Sequence, residues 1–425
     1  MILLLLVRAK VIKYAIMVDA GSSGTRAHIY KWEKSKGIPN VNPAPNRTNG
    51  WVYKSKIPLA KAHKNSSIIE FIFKPIIKFS MKRIPPENYP TTRIFVFATA
   101  GVRLLSEEDQ LRVISQTYEY LQKNSPFKLK PRYVQAITGV EEGIFGWLSV
   151  NHLLGRLTSK STIGALDMGG ASSQISFRIK KLSGSPDEHT VNLGNHHRIT
   201  IFSHSYLGYG ANEALKTITN YLESHDNHHN PCYPVNYSGH HKLFNFSGTG
   251  NFHECTQLVE SVLLSQPEIT DVVVPNATNE YVAMAAYFYL NDFLKLRSNS
   301  TLSELRQRTT EFCSRDWESI EREYPHNSYV VNYCWYGIYQ WNVLTKVYHF
   351  NDNTTNVMKI DNIDGVDLSW TIGAMLKEAS NIELDDRNFD LFPFIAMNAF
   401  LAVNIIVKII RKSALCRKKG SNFDA

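Results

Sequence analysis

Two segments of this 425-residue chain carry the same side-chain types at the same offsets. Tyr14 to Trp32 reads YAIMVDAGSSGTRAHIYKW, and Ile163 to Phe177 reads IGALDMGGASSQISF. Each begins as an apolar strand ending in an aspartate (Asp19, Asp167), with glycine two residues later (Gly21, Gly169). Each then places a hydroxyl at the sixth position after the aspartate (Thr25, Ser173) and a planar polar side chain at the seventh (Arg26, Gln174). Glycine permits tight turns and close backbone approach, so successive N–H groups can converge on phosphate oxygens while Ser and Thr hydroxyls add donors. An aspartate at the strand end can hold a hydrated divalent cation beside those phosphates. One such loop describes many ordinary turns; two with matched offsets, 148 residues apart, describe a phosphate clamp. Between them, in QAITGVEEGIFGWLSVNHLLG (135–155), stand Glu141 and Glu142. A carboxylate at a helix start is commonly dipole compensation, the role assigned to Glu141. Glu142 is flanked by glycines where the two halves meet and is a candidate general base for a water molecule.

The elements around these residues fit two similar α/β lobes. Ser67 to Arg83 reads as a helix interrupted at Pro75, and Arg93 to Ala98 as a buried strand. Thr99 to Gly101 forms a strand-end turn, which makes Thr99 a site candidate, because open α/β sheets bind ligands at strand ends. A helix capped by Ser106 follows, with Asp109 at capping-box spacing. The turn around Gly139 and the two glutamates precede an amphipathic helix, and Tyr209 to Leu222 reads as another helix. The aromatic runs EYVAMAAYFYLNDFL, YCWYGIYQW and SWTIGAML read mainly as core, with one or two rings free to stack on a base. The pairs His196/His197, His228/His229 and His240/His241 lie in polar stretches and read as solvated loops.

The net charge of +9 would suggest a nucleic-acid partner if it were spread over the surface. It is not. Residues 408–425 hold six cations against Asp424, and Arg8, Lys10 and Lys13 account for three more, which leaves the chain between them close to neutral. No nucleic-acid partner is therefore expected. The 17 residues from Leu391 to Val407 carry no charge, and the apolar run reaches Ile410. That is the length of a bilayer-spanning helix, with its basic flank (411–425) on the cytoplasmic side and the preceding chain in the lumen or outside the cell. Residues 1–13 read as the remnant of a signal or anchor. Seven glycosylation sequons, at Asn46, Asn65, Asn236, Asn245, Asn276, Asn299 and Asn353, agree with a lumenal domain. With Cys416 in the tail, four cysteines remain and allow three pairings; short loops favour Cys232 with Cys255 and Cys313 with Cys334. No CxxC or Cys/His spacing suggests zinc.

The ordered motifs VDAGSSGTRAHIY, FATAGVRLL, TGVEEGIFGW, LDMGGASSQISF and WTIGAML resemble the conserved regions of the nucleoside triphosphate diphosphohydrolases, or apyrases. The resemblance implies an actin-like, hexokinase-like α/β fold of two lobes with a nucleotide cleft between them. Residues 14–138 with 361–385 would form the first lobe, 139–360 the second, and 391–410 a transmembrane helix. It implies hydrolysis of nucleoside di- or triphosphates with Ca²⁺ or Mg²⁺, with Glu142 as the base and Ser172 and Gln174 positioning the water. Asp19 and Asp167 would hold the cation through its water shell. Ser22, Ser23, Thr25, Arg26, Thr99, Gly169, Gly170, Ala171, Ser172, Ser173 and Gln174 would surround the phosphates, and Tyr287 and Trp370 the base. The C-terminal span and the cysteine spacing are most similar to the Golgi and lysosomal branch acting on UDP. Gly24 departs from the many cell-surface members that carry His at that place. The alternatives are a cell-surface ATP and ADP hydrolase, a sugar-type kinase, and a catalytically dead nucleotide-binding protein.

Overall fold

The chain, described by a computed structural model over residues 11–385 except 36, 49, 195–196 and 275–279, folds around two six-stranded sheets. The first contains β1 (Ile12–Ala20), β2 (Thr25–Glu33), β3 (Asn42–Pro43), β4 (Val52–Ser55), β5 (Arg93–Ala98) and β6 (Val134–Ala136). The second begins with β7 (Gly164–Met168), β8 (Ser172–Arg178), β9 (Glu188–Leu193) and β10 (His197–Leu207). A small separate sheet holds β11 (His229–Asn230), β12 (Ser238–His241) and β13 (Phe244–Gly248), and β14 (Tyr281–Ala285) and β15 (Val357–Lys359) complete the second large one.

The internal repeat extends beyond the loops. In the first sheet β1 pairs antiparallel with β2 and parallel with β5, which is parallel to β6. In the second, β7 pairs antiparallel with β8 and parallel with β14, which is parallel to β15. Register preserves the sequence echo, since Asp19 faces Arg26 across one hairpin and Asp167 faces Gln174 across the other. Parallel central strands are covered on both sides, which is why β5 is buried at every position.

Helices α1 (Ser67–Met81, containing Pro75), α2 (Ala100–Arg103) and α3 (Glu107–Asn124) cover the first sheet, around a core of Ile16, Val18, Ile72, Phe73, Ile94 and Val96. The Ser106 hydroxyl accepts from the Asp109 amide as the spacing predicts, while the Asp109 carboxylate turns to Arg112. Helix α4 (Gly139–Leu153) differs from expectation. It starts at Gly139, before the glutamates, and is buried along almost its whole length instead of presenting a polar face. The reason is its place in a central cluster, where Trp147, Leu148 and Val150 join Met17 and Phe95 of one sheet, Ile199 and Ile201 of the other, and Ile372 and Met375 of the helical residues 370–385.

The second sheet is covered by α5 (Ala211–Ser224), α6 (Phe252–Leu258), α7 (Pro267–Thr270), α8 (Ala286–Phe293), α9 (Leu302–Cys313), α10 (Trp317–Glu323) and α11 (Tyr333–Asn342). Two disulfides, Cys232–Cys255 and Cys313–Cys334, pair as the short loops favour. His229, His240 and His241 lie in strands of the small sheet and not in loops, and His229 and His240 are exposed. Among the described residues no helix is long and apolar enough to cross a membrane. The span expected at 391–410 and the segment 1–10 lie outside the described residues.

A disulfide closing a loop of this length restricts the unfolded chain by an amount worth ~3 kcal/mol. The double substitution of Cys232 and Cys255 by Ala should therefore lower the unfolding free energy by about 2–4 kcal/mol in guanidinium titration, with a lower midpoint.

Candidate active site

The two hairpin loops face each other across a cleft of ≈ 390 Å³. Asp19, Ser22, Ser23 and Arg26 of the first hairpin line it together with Thr99, Glu142, Asp167, Gly169, Gly170, Ala171 and Ser172. The second loop is held from behind. The carbonyls of Gly169, Gly170 and Ala171 accept from the amides of Ala211, Asn212 and Gly208 at 2.9, 2.9 and 2.8 Å. With those oxygens engaged, the loop is fixed before any ligand arrives, as a site that stabilises developing charge requires.

Four expected ligands stand elsewhere. Thr25 is fully buried and donates its hydroxyl to the Ile57 carbonyl at 2.9 Å. Ser173 does the equivalent, donating to the Asp167 carbonyl at 3.2 Å with Tyr348 Oη at 3.3 Å. Hydroxyls at the sixth position of both repeats thus tie the hairpins to the protein and do not line the cleft. Gln174 is 2% exposed and lies behind the surface, where its Nε2 donates to Ser172 Oγ at 2.8 Å, Ser205 Oγ at 3.1 Å and Glu142 Oε2 at 3.3 Å. Tyr287 points into the core behind the second sheet, 1% exposed. Tyr289, 61% exposed, lines the cleft in its place. The shift follows from Ala285, whose φ of 58° starts α8 with a sharp turn and leaves Tyr287, Leu290 and Asn291 on the inward face. Trp370 lines the cleft as expected and lies against Phe145 with centroids 6.4 Å apart.

The two glutamates have different surroundings, and both lie inside the helix. Glu141 completes a capping box with Thr138, its carboxylate accepting from the Thr138 amide at 2.8 Å. Glu142, one residue on and 9% exposed, faces the cleft. It can do so because α4 lies flat on the second sheet: a Cβ at Gly139 would stand 2.1 Å from Ser205 Oγ, and one at Gly143 2.6 Å from Ser203 Oγ. Sequence reasoning missed the residue that holds Glu142. Arg103 Nη2 donates to Glu142 Oε2 at 2.9 Å and to Ser172 Oγ at 3.3 Å, and Nη1 donates to the Ile137 carbonyl at 3.0 Å. Its place in FATAGVRLL, four residues after Thr99, was the available signal. With Arg103 and Gln174 both donating to Ser172 Oγ, the serine's own proton is free to point at a ligand. At Gly24 a Cβ would lie 2.4 Å from the Ser55 carbonyl, so no side chain fits there.

The electrostatics are those of crowded anions. Burial, followed by the charges of Glu142 and Asp19, pushes the Asp167 carboxyl up to about 7. Burial also raises Asp19 to about 7, against the pull of Arg26 Nη1 at 3.6 Å, with Glu142 adding repulsion. Burial raises Glu142 as well, and Arg103 opposes this. His28, on the cleft wall with Val52 and Lys54, is brought down to about 3 by burial and the charges of Arg26 and Lys54, so it is neutral. Among the described residues no three His, Cys, Asp or Glu side chains converge tightly enough to ligate a metal directly. Asp19 Oδ1 is nevertheless buried without a hydrogen-bond partner, and Asp19, Glu142 and Asp167 share the cleft with Asp361 and Asp367. That donor set fits a hard, oxygen-loving divalent cation.

Twin sheets, each carrying a strand–loop–strand hairpin at one shared cleft, form a mixed α/β fold. The chain belongs to the GDA1/CD39 (nucleoside phosphatase) family, whose profile it matches over residues 6–392. It is 27% identical to nucleoside-triphosphatase ntp-1 of Caenorhabditis elegans, over 88% of this chain and 74% of that one. It is 26% identical to the Golgi apyrase of Saccharomyces cerevisiae (97% and 78% covered) and 26% identical to ectonucleoside triphosphate diphosphohydrolase 1 of Rattus norvegicus (94% and 86%). The fold is similar to that of a nucleoside triphosphate hydrolase from Neospora caninum, with a TM-score of 0.65 at 13% identity, over 88% of this chain and 93% of that one. It is thus a mixed α/β, actin-like hydrolase of phosphoanhydride bonds.

The raised carboxyls make a sign-definite prediction for the protein in chelator. Asp167 binds its proton more tightly folded than unfolded, so stability should fall as pH rises from about 4 to about 7 and then level off. Asp167→Asn should flatten that fall and raise the thermal midpoint at pH 8 by a few degrees, measured by scanning fluorimetry. Added Ca²⁺ or Mg²⁺ should stabilise the wild type more than the variant.

Proposed function

We propose that the protein hydrolyses the terminal phosphate of nucleoside diphosphates, UDP and GDP foremost, and of triphosphates, within the lumen of the secretory pathway. The observation that carries this reading is Glu142, a buried carboxylate between the two phosphate loops, held at 2.9 Å by Arg103 and beside Ser172. Glu142 takes the proton of a water molecule, and Ser172 orients that water with its free proton. Gln174 acts one layer back, holding Ser172 and Glu142 in register. Main-chain amides of the two loops, with Ser22, Ser23 and Thr99, enclose the phosphates, so that attacking oxygen and phosphorus meet within one fixed frame. Tyr289 and Trp370 offer flat apolar surfaces to the base. Asp19 and Asp167 would hold Ca²⁺ or Mg²⁺ through its water shell; when bound, the cation offsets phosphate charge. The product side of glycosyl transfer, which leaves nucleoside diphosphates in the lumen, fits such an activity, with the chain tethered through 391–410. The proposed lobe division at 138/139 with return at 361 is supported by the strand ranges, since those of the first sheet end at Ala136 and those of the second run from Gly164 to Lys359.

A panel of UDP, GDP, ADP and ATP with Ca²⁺ or Mg²⁺ tests the substrate reading through released phosphate. Glu142→Gln should lose about 10²- to 10⁴-fold in turnover, and equal release by variant and wild type would refute the mechanism. Arg103 supports the ionised form of Glu142. Its loss lets the Glu142 carboxyl titrate at higher pH, and because the base works deprotonated, the acid limb of the kcat/KM profile in Arg103→Gln should move to higher pH. The variant's deficit should accordingly be larger at pH 6 than at pH 8.

A further inference from the structure

We propose that Lys54 is a further substrate-binding residue: from β4 its ammonium takes an anionic oxygen of the phosphates behind the terminal one, and so sets how strongly the cleft holds longer phosphate chains. This rests on the reading of the cleft as a nucleotide site. The placement follows from register. Asp19 faces Arg26 across the β1–β2 hairpin, and Arg26 faces Lys54 across β2 and β4, so the three side chains stand in one row on one face of the sheet. His28 and Val52 belong to the next row of that face, and all five residues line the cleft. The residues between them point the other way, Thr25 to the Ile57 carbonyl and Tyr53 to Phe79 of α1, with ring centroids 5.6 Å apart. Two strand spacings, about 10 Å, separate the Lys54 backbone from that of Asp19. An extended lysine stem and a second or third phosphate close that gap between them.

Charge says what meets it. Among the described residues lining the cleft, Arg26 and Lys54 are the two cations. Arg26 is drawn to Asp19, with Nη1 3.6 Å from Oδ2. Lys54 has no such partner: among the described residues no carboxylate lies within ion-pair distance of it, although Asp367 lines the same stretch of wall as His28 and Val52. Like charges directly opposite on adjacent strands repel, so the row is strained until an anion stands beside it. His28 registers the same positive field, since after burial the charges of Arg26 and Lys54 bring its imidazole down to about 3. A lysine on an edge strand commonly keeps that edge from pairing with another sheet. Lys54 instead stands on the inner wall of the cleft, where the phosphate chain is the anion at hand.

The test is calorimetric titration of UMP, UDP and UTP, each with Mg²⁺, into the Glu142→Gln protein, where turnover does not interfere. Adding Lys54→Met, which keeps the stem and removes the charge, should weaken UTP binding roughly tenfold, UDP binding less, and UMP binding by no more than about twofold. Lys54→Arg should stay near the parent. Removing one of two opposed cations should leave the thermal midpoint without nucleotide equal to or above the parent's, so the weaker titration is not a loss of fold. UDP and UTP binding equal to the parent in Lys54→Met would overturn the inference, leave the functional reading intact and mark Lys54 as a guard of the sheet edge. So would a loss that does not grow with the number of phosphates. Failure of the parent itself to bind any of the three would overturn the functional reading and this inference with it.

Discussion

Asp19, Glu142 and Asp167 repel each other in one cleft, and most of the architecture around the site can be understood as what makes that tolerable. Asp19 has Arg26 near it and Glu142 has Arg103, but among the described residues no cation offsets Asp167. Without a ligand the cleft is electrostatically frustrated, and Asp19 and Asp167 are driven toward the protonated state. A divalent cation accompanying a phosphate chain would resolve that conflict, and the conflict is a reason for the site to prefer that combination over a bare nucleotide. The arrangement stores instability at the site and offsets it in the cores behind each sheet and between them.

The repeat is what allows a single cleft to be lined from two sides. Each half supplies a hairpin with an aspartate at the end of its first strand, flanked by a parallel neighbour. The hydroxyl six residues after each aspartate is spent on closing its own hairpin, through Ile57 in one case and the Asp167 carbonyl in the other. What remains for a phosphate is the loop backbone and a few side chains at the rims. Helix α4 then sets Glu142 between the halves, and it reaches that place only because Gly139 and Gly143 let it settle onto Ser205 and Ser203.

The strand ends, the paired loops and the buried strand Arg93–Ala98 were legible in the sequence because they depend on local pattern: apolar runs, glycine turns and offsets between like residues. Partner choice was not. Whether Thr25 faces a ligand or Ile57, and whether Arg103 reaches solvent or Glu142, is decided by residues 32 and 39 positions away, respectively. The tyrosine at the cleft is Tyr289 and not Tyr287 for a similar reason, since the left-handed backbone at Ala285 sets the phase of α8 and has no side-chain signature in an alanine pair. The helical pattern of α4 misled in the opposite direction: it reads as amphipathic, yet its polar residues Ser149 and Asn151 are buried and bonded.

The central claim is that water, readied by Glu142, attacks the terminal phosphorus directly between the two loops. Hydrolysis of UDP in ¹⁸O-labelled water, followed by mass spectrometry of both products under single-turnover conditions, tests it most directly. The account predicts one ¹⁸O atom in each released inorganic phosphate and none in UMP. Label in UMP, or phosphate released without label, would contradict it.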